Sequence, residues 1–396
     1  MSVLPPAAHL SRPDRDRAAE LRARPLDRML AGIRPEVARL LDRALLDQEI
    51  TVQEAEQLFQ AQGLELWALA AVADELRGRT VGDRITYVVV RNINFTNVCY
   101  TGCRFCAFGK PDDDPEAYTF SVEEVAEKAA EAWSWGCTEV CLQGGLNPHL
   151  PPTVYEDLVR AIKDRVPAIH IHAFSPFEIW YGAHRLGISP ESFLRRLRDL
   201  GLGSIPGTAA EILDPGIRQR LTRNKLSREE WIHIVTTAHG LGIPSTATIM
   251  YGHIDRPIHW AAHLDTLRRI QRETGGFTEF VPLGFIHERT QLYLEDGARP
   301  GPTGLEDLRM HAVARLMLNR DIPNLQVSWV KLGYKMAQLC LCAGANDFGG
   351  TLFEERISRA AGETQGTHTP PERFQRLIRD LGRIPAQRTT LYEILD

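Results

Sequence analysis

Short β-branched runs alternate with amphipathic stretches of helical period from about residue 84 to residue 350. The runs are ITYVVV, TEVCLQ, AIHIHAF, GLGSIP, STATIM, FTEFVPL and LQVSWV, with GAND as an eighth. Between them lie SVEEVAEKAAEAWSWG, TVYEDLVRAIKDR, SPESFLRRLRDLG, SREEWIHIVTTAHGLG, IHWAAHLDTLRRIQRETG and GLEDLRMHAVARLMLNR. Several of these begin at Ser or Thr and end at Gly, the residue types that cap helices. Strict alternation of strand and helix implies parallel strands joined by crossover helices. Seven or eight such units favour a closed (β/α)8 barrel over an open doubly wound sheet.

Both flanks differ from this rhythm. Residues 1–25 hold Pro5, Pro6, Pro13 and Pro25 and read as a poorly structured, flexible N-terminus. Residues 26–79 read as a helical extension in which Thr51 and Glu54 form a capping box and Leu58, Leu64, Leu66 and Leu69 supply apolar surface. The barrel takes residues 80–350, and residues 351–396 read as one more helix and a tail packed on it.

With 396 residues, 43% of them hydrophobic, a sizeable core is available. A net charge of -5 and a pI near 6.2 give no broad attraction to nucleic acid or anionic lipid, so the expected ligand is a small molecule. No run is apolar for long enough to span a bilayer, and the N-terminus lacks the apolar core of a secretory signal, so a cytoplasmic location is expected.

Seven cysteines stand at 99, 103, 106, 137, 141, 340 and 342. Three follow the first strand in the spacing C-x3-C-x2-C: Cys99, Cys103 and Cys106, with Gly102 letting the loop fold closely. Thiolates are the usual ligands of iron–sulfur clusters. A 4Fe–4S cubane held by three of them keeps one iron open, able to chelate the amino and carboxylate groups of a bound amino acid such as S-adenosylmethionine. A zinc site usually wants four protein ligands, and no fourth Cys or His lies in the loop. The loop also sits where barrels build active sites, at a strand's C-terminal end. The other four cysteines read as small buried hydrophobes.

The longer strings NINFTNVC, CRFCAF, EVCLQGGLNP, IHIHAFSP, PGTAAEIL, MYGH, GGFTEFVPL and CGANDFGGT resemble the radical S-adenosylmethionine superfamily. Within it they resemble the CofH family, the tyrosine-using subunit of FO synthase, from about residue 30 to the C-terminus. Close relatives are the futalosine-pathway enzymes aminofutalosine synthase and dehypoxanthinyl futalosine cyclase. Phe280 to His287 looks like the CofH version, whereas Asn147-Pro148-His149 departs from the family's usual His-Pro-Asp.

That resemblance implies a radical SAM barrel, a 4Fe–4S cluster and S-adenosylmethionine, with L-tyrosine and 5-amino-6-(D-ribitylamino)uracil as substrates. A 5'-deoxyadenosyl radical would take a hydrogen atom from tyrosine, whose Cα–Cβ bond breaks and whose p-hydroxybenzyl group joins the uracil. A ferredoxin or flavodoxin would supply the electron, and a separate CofG-type enzyme would close the deazaflavin ring. An iron–sulfur scaffold or sensor without catalysis is the alternative of another class.

The resemblance also places a cofactor-binding set. Gln143, Gly144 and Gly145 would meet the methionine amino group, and Phe105 the adenine. Glu211 would accept bonds from ribose hydroxyls or the methionine ammonium, or else serve as a charge at a helix start. Arg218, Arg223 and Lys225 are candidates for the methionine carboxylate, the bidentate fork favouring Arg223. On the substrate side, His253, His287 and Glu288 are the candidate catalytic residues. His170 and His172 share a strand face, and Asn346 and Asp347 follow the same logic at the last strand.

Overall fold

Staves of parallel strand follow one another around the molecule in sequence order. The computed structural model describes residues 25–395, so all of the N-terminal stretch before Pro25 lies outside the described residues. The first stave is β1 (Arg84–Val88) continued by β2 (Val90–Ile93), and β3 (Glu139–Leu142) and β4 (His170–His172) follow. A short fourth stave at Ser204 and Ile205 links β4 to β5 (Ser245–Tyr251). Then come β6 (Phe277–Gly284), a short stave at Leu325 and Gln326, and β7 (Asp347–Gly350). Parallel pairing runs β2–β3–β4 and β5–β6, the short staves bridge the gaps, and Thr86 opposite Asp347 closes the ring. The barrel is the one the alternation implies, with all eight candidate runs contributing to its wall.

Caps fix where the helices begin. Ser121 with Glu124, Ser175 with Glu178, Ser227 with Glu230 and Thr303 with Glu306 all close capping boxes, as does Thr51 with Glu54. The extension before the barrel folds as helices Pro25–Ala31, Pro35–Leu45, Val52–Leu58 and Leu64–Val81. It packs on the barrel's flank against helices Pro257–Thr274 and Gly304–Leu318. Phe59 meets Trp260 edge-on at 5.2 Å, while Arg268 and Arg309 donate to the carbonyls of Ile50 and Ala61 at 3.0 and 2.7 Å. Among the described residues no helix is long and apolar enough to cross a membrane.

The last residues do more than the expected helix and tail. After helix Pro371–Asp380, β8 (Ile384–Arg388) pairs parallel with β1, and β9 (Ile394–Leu395) turns back antiparallel to it. This hairpin lies at the strands' N-terminal end. There buried Arg388 bridges Asp347 (2.5 Å) and Glu279 (3.3 Å), Tyr392 donates to Glu279 (2.5 Å), and Thr390 to Glu139 (2.5 Å). Asn346 and Asp347 therefore belong to the barrel's closed end, because the strand starts at Asp347 rather than ending there. Asn346 Oδ1 accepts from Arg315 and from the Leu325 amide, both at 2.8 Å, which makes it a brace between staves.

Candidate active site

At the other end of the barrel the connections from successive staves surround a cavity of about 230 Å3. The first contribution is the cysteine loop. Cys99 N–H donates to Lys110 O (2.9 Å) and Lys110 N–H to Asn97 O (2.8 Å), so the loop doubles back on itself. Gly102 takes φ 63°, and Cys106 N–H donates to Cys103 O at 3.1 Å. Thr101 Oγ1 lies 3.1 Å from Cys99 Sγ and 3.5 Å from Cys103 Sγ. All three cysteines line the cavity, together with Phe105.

The second contribution is the loop after β3, laced to the first. Gly145 N–H donates to Thr96 O at 2.8 Å, and Tyr100 N–H to Leu146 O at 3.3 Å. A Cβ on Gly145 would lie 2.2 Å from Val98 O, and one on Gly144 would lie 2.6 Å from the Phe95 ring. The glycine pair is thus a requirement of this contact, and with Gln143 it borders the cavity.

The third contribution is Glu178, which the sequence reading did not single out. It is the third residue of helix Pro176–Leu186, and one carboxylate oxygen completes the capping box by accepting from Ser175 N–H (2.8 Å) and Ser175 Oγ–H (2.6 Å). Its other oxygen accepts from Gly144 N–H at 3.0 Å. Burial pushes the carboxyl up to about 7 although Ser175 and Gly144 pull the other way. The available signal was Ser-Pro-Phe-Glu, a capping box directly after a strand's C-terminal end.

Glu211 comes from the loop beyond the fourth stave, where Ala209 and Glu211 adopt φ 64° and 46°. Such a left-handed backbone needs external support, and buried Arg218 provides it by donating to the carbonyls of Ala209, Ala210, Ile212 and Leu226. Lys225 pairs with the Glu211 carboxylate and stands 4.9 Å over the Phe105 ring. Burial pulls the Lys225 amine down, but Glu211 and the Cys103 thiol outweigh it and hold it above its usual range.

Other candidates lie elsewhere. Arg223 is exposed and lines a neighbouring groove with Arg104, Arg220 and Asn224, outside the cysteine loop. His253 is fully buried: its Nδ1 accepts from Ile254 N–H (2.8 Å) and its Nε2 faces Met250 O (3.1 Å), so it braces the turn after β5, the strand whose Met250 reaches the cavity. His287 packs edge-on against Tyr293 at 4.5 Å with Glu288 3.7 Å away, and neither borders the cavity, which Phe285 and Ile286 line instead. His170 and His172 share Ser204 Oγ at 2.7 and 2.6 Å. His149 is exposed on the outer rim, 3.6 Å from Asp112. Among the remaining cysteines, Cys137 and Cys340 are buried, Cys141 is half-buried and Cys342 is exposed.

The donor set suits a thiolate-bound cluster. Burial, then the neighbouring Cys103 thiol, raises Cys106 to about 11, so a thiolate at Cys106 requires positive charge beside it, which cluster iron would supply. Among the described residues no three His, Cys, Asp or Glu side chains converge as a single metal ion would need.

A profile of the radical SAM superfamily matches residues 93–267, the half of the barrel that carries these loops. A second, the CofH/MqnC C-terminal region, matches residues 274–396. By fold the chain resembles methylornithine synthase, with a TM-score of 0.70 at 19% identity over 88% of this chain and 97% of that one. It likewise resembles the hydrogenase maturase HydG from Carboxydothermus hydrogenoformans, at 0.69 and 15% over 95% and 84%. The molecule is a radical SAM enzyme. The 5-amino-6-(D-ribitylamino)uracil--L-tyrosine 4-hydroxyphenyl transferase of Methanothermobacter thermautotrophicus is 50% identical over 92% of this chain and 99% of its own length. The FO synthase of Nocardia farcinica is 55% identical over 86% of this chain, which spans 39% of that longer protein. The chain belongs to the family of these CofH-type transferases.

Proposed function

We propose that the chain cleaves L-tyrosine between Cα and Cβ and joins the p-hydroxybenzyl group to 5-amino-6-(D-ribitylamino)uracil, a step of deazaflavin synthesis. The observation that carries this reading is the near full-length match to the transferase of that name, 50% identical over 99% of its length. The furnished cavity is consistent with it. Cys99, Cys103 and Cys106 would hold the three protein-bound irons of a 4Fe–4S cluster. When bound and reduced, the cluster and S-adenosylmethionine supply a 5'-deoxyadenosyl radical.

The protein's own part is to bind, orient and shield. Gln143, Gly144 and Gly145 offer a backbone edge that a ligand can approach closely. The Glu211–Lys225 pair presents a carboxylate oxygen toward hydroxyl or ammonium donors, and Phe105 presents a ring face. Leu283, Phe285, Ile286, Ile357 and Ala361 make the remaining wall apolar, which keeps water from the reacting atoms. A small electron-transfer protein such as ferredoxin or flavodoxin serves as reductant, and a CofG-type enzyme takes the adduct onward.

The test is anaerobic reconstitution with S-adenosylmethionine, dithionite, tyrosine and the ribityl uracil, followed by mass spectrometry. Both 5'-deoxyadenosine and the hydroxybenzyl adduct are expected, and both are lost in Cys103→Ala. Cofactor cleavage without adduct would overturn the substrate assignment.

A further inference from the structure

The cavity wall has two halves. Loops from the first four staves bring the cysteines, the glycine pair, Glu178 and Glu211 with Lys225. Beyond β6 the lining is apolar except for one side chain, Lys331. Charged groups of the first half are matched: Glu211 by Lys225, and Glu178 by Ser175 and Gly144. Among the described residues Lys331 has neither a hydrogen bond to its amine nor an ion pair, although it lines the cavity.

Its position is fixed. Lys331 lies in the first turn of helix Trp329–Leu341, where Lys331 and Leu332 N–H donate to Ser328 O at 2.9 and 3.0 Å. Two residues on, Gly333 breaks the helix with φ 68°, and a Cβ there would meet the Gln365 side chain at 3.0 Å. The buried carboxylates Glu355 and Glu363 act on Lys331 from the segment after β7, but each already accepts a backbone amide, from Ser358 and Gln365. Burial pulls the Lys331 amine below its usual range, and these two carboxyls act against that pull without consuming the amine's donors. A fixed cation with free donors in an apolar wall demands an anion from the ligand.

We propose that Lys331 binds the α-carboxylate of the amino-acid substrate and so orients tyrosine, with its ring along Leu283, Phe285, Ile286 and Ile357, toward the cofactor half of the cavity. The inference rests on the reading of tyrosine as substrate. The methionine half of the cofactor also carries an α-carboxylate, so the two sources must be separated.

Equilibrium dialysis of reconstituted holoenzyme does this, using tyrosine, tyramine (which lacks the carboxylate) and S-adenosylmethionine in turn. Wild type is expected to bind tyrosine more tightly than tyramine by roughly 10- to 100-fold. Lys331→Met, which removes an unpartnered half-buried amine and should fold at least as well, is expected to lose that preference. Its cofactor affinity and iron content should stay unchanged, and Lys331→Arg should recover part of the preference. Weakened cofactor binding with unchanged tyrosine binding would overturn the proposal in favour of the methionine carboxylate. Equal binding of tyrosine and tyramine by wild type overturns it without any variant. A wild type that binds neither would sink the tyrosine reading itself, and this proposal with it.

Discussion

A glutamate in the third position of a helix usually completes a capping box at the surface, as Glu124 does. Glu178 shows what changes when the same box is buried beside a glycine loop: one oxygen caps the helix, the other holds Gly144. Its carboxyl is raised to about 7, so the folded chain keeps a proton that the unfolded chain releases from about 4.5. The stability this gives is full below 4.5 and is lost as pH rises through 7. Glu178→Gln removes that dependence. Urea midpoints of the two proteins should separate as pH rises from 5 to 8, the wild type falling as Glu178 ionises in its buried site, and parallel midpoints would count against the assignment. A second substitution tests the neighbouring contact. Gly145→Ala puts a methyl into Val98 O, so the two loops must part, costing on the order of 1–3 kcal/mol. Iron bound per chain after reconstitution should fall with it. At this scale the sequence was legible where candidate residues sit close together: Cys99, Cys103 and Cys106 share one loop, and all three line the cavity. It misled at His253 and Arg223, because nothing local tells that an imidazole will be consumed by Ile254 N–H and Met250 O, or on which side of a loop a guanidinium will stand.

At the scale of elements, hydrophobic alternation located every stave, since each run packs between flanking helices and needs apolar or β-branched residues on both sides. The closing hairpin escaped that logic. Ile384-Pro385-Ala386-Gln387-Arg388 has no alternation, and β8 is held by pairing with β1 and by charges supplied from residues 279 and 347, far away in sequence. Arg388 is the element's anchor. Arg388→Met would leave Asp347 and Glu279 buried without a cation, which costs about 3–5 kcal/mol. Adding Asp347→Asn should return part of that loss, so a double-mutant cycle by urea unfolding should show coupling above 1 kcal/mol. Additive effects would mean that the hairpin is held by its backbone pairing alone.

Across the whole molecule, polar groups buried to support the barrel set how it responds to acid. Burial lowers His170, His239 and His311 to about 4, and His172 and His263 to about 3. Each is neutral in a defined bond; His263 accepts from Leu213 N–H (3.1 Å) and faces Thr248 O (2.9 Å), tying the loop of Glu211 to β5. A depressed histidine gives stability that is full above 6.5 and is lost as pH falls through the folded value, because the unfolded chain takes up the proton first. Glu178 and Glu363, raised to about 7, and Asp307, raised to about 6, work in the opposite direction between about 4 and 7. In that window the acids offset part of the histidine slope, so stability should change gently from pH 7 to 5. Below about 4.5 these three acids are protonated in both states, and the histidines are joined by Glu54, Glu65, Glu124 and Glu354, whose lowered carboxyls lose their stabilising charge as pH falls. Urea midpoints of the chain without its cluster should then drop steeply between pH 4.5 and 3.5, and His263→Gln should make that drop shallower. An unfolding transition as steep between pH 7 and 5 as below 4.5 would contradict the compensation and mean that the histidines titrate unopposed.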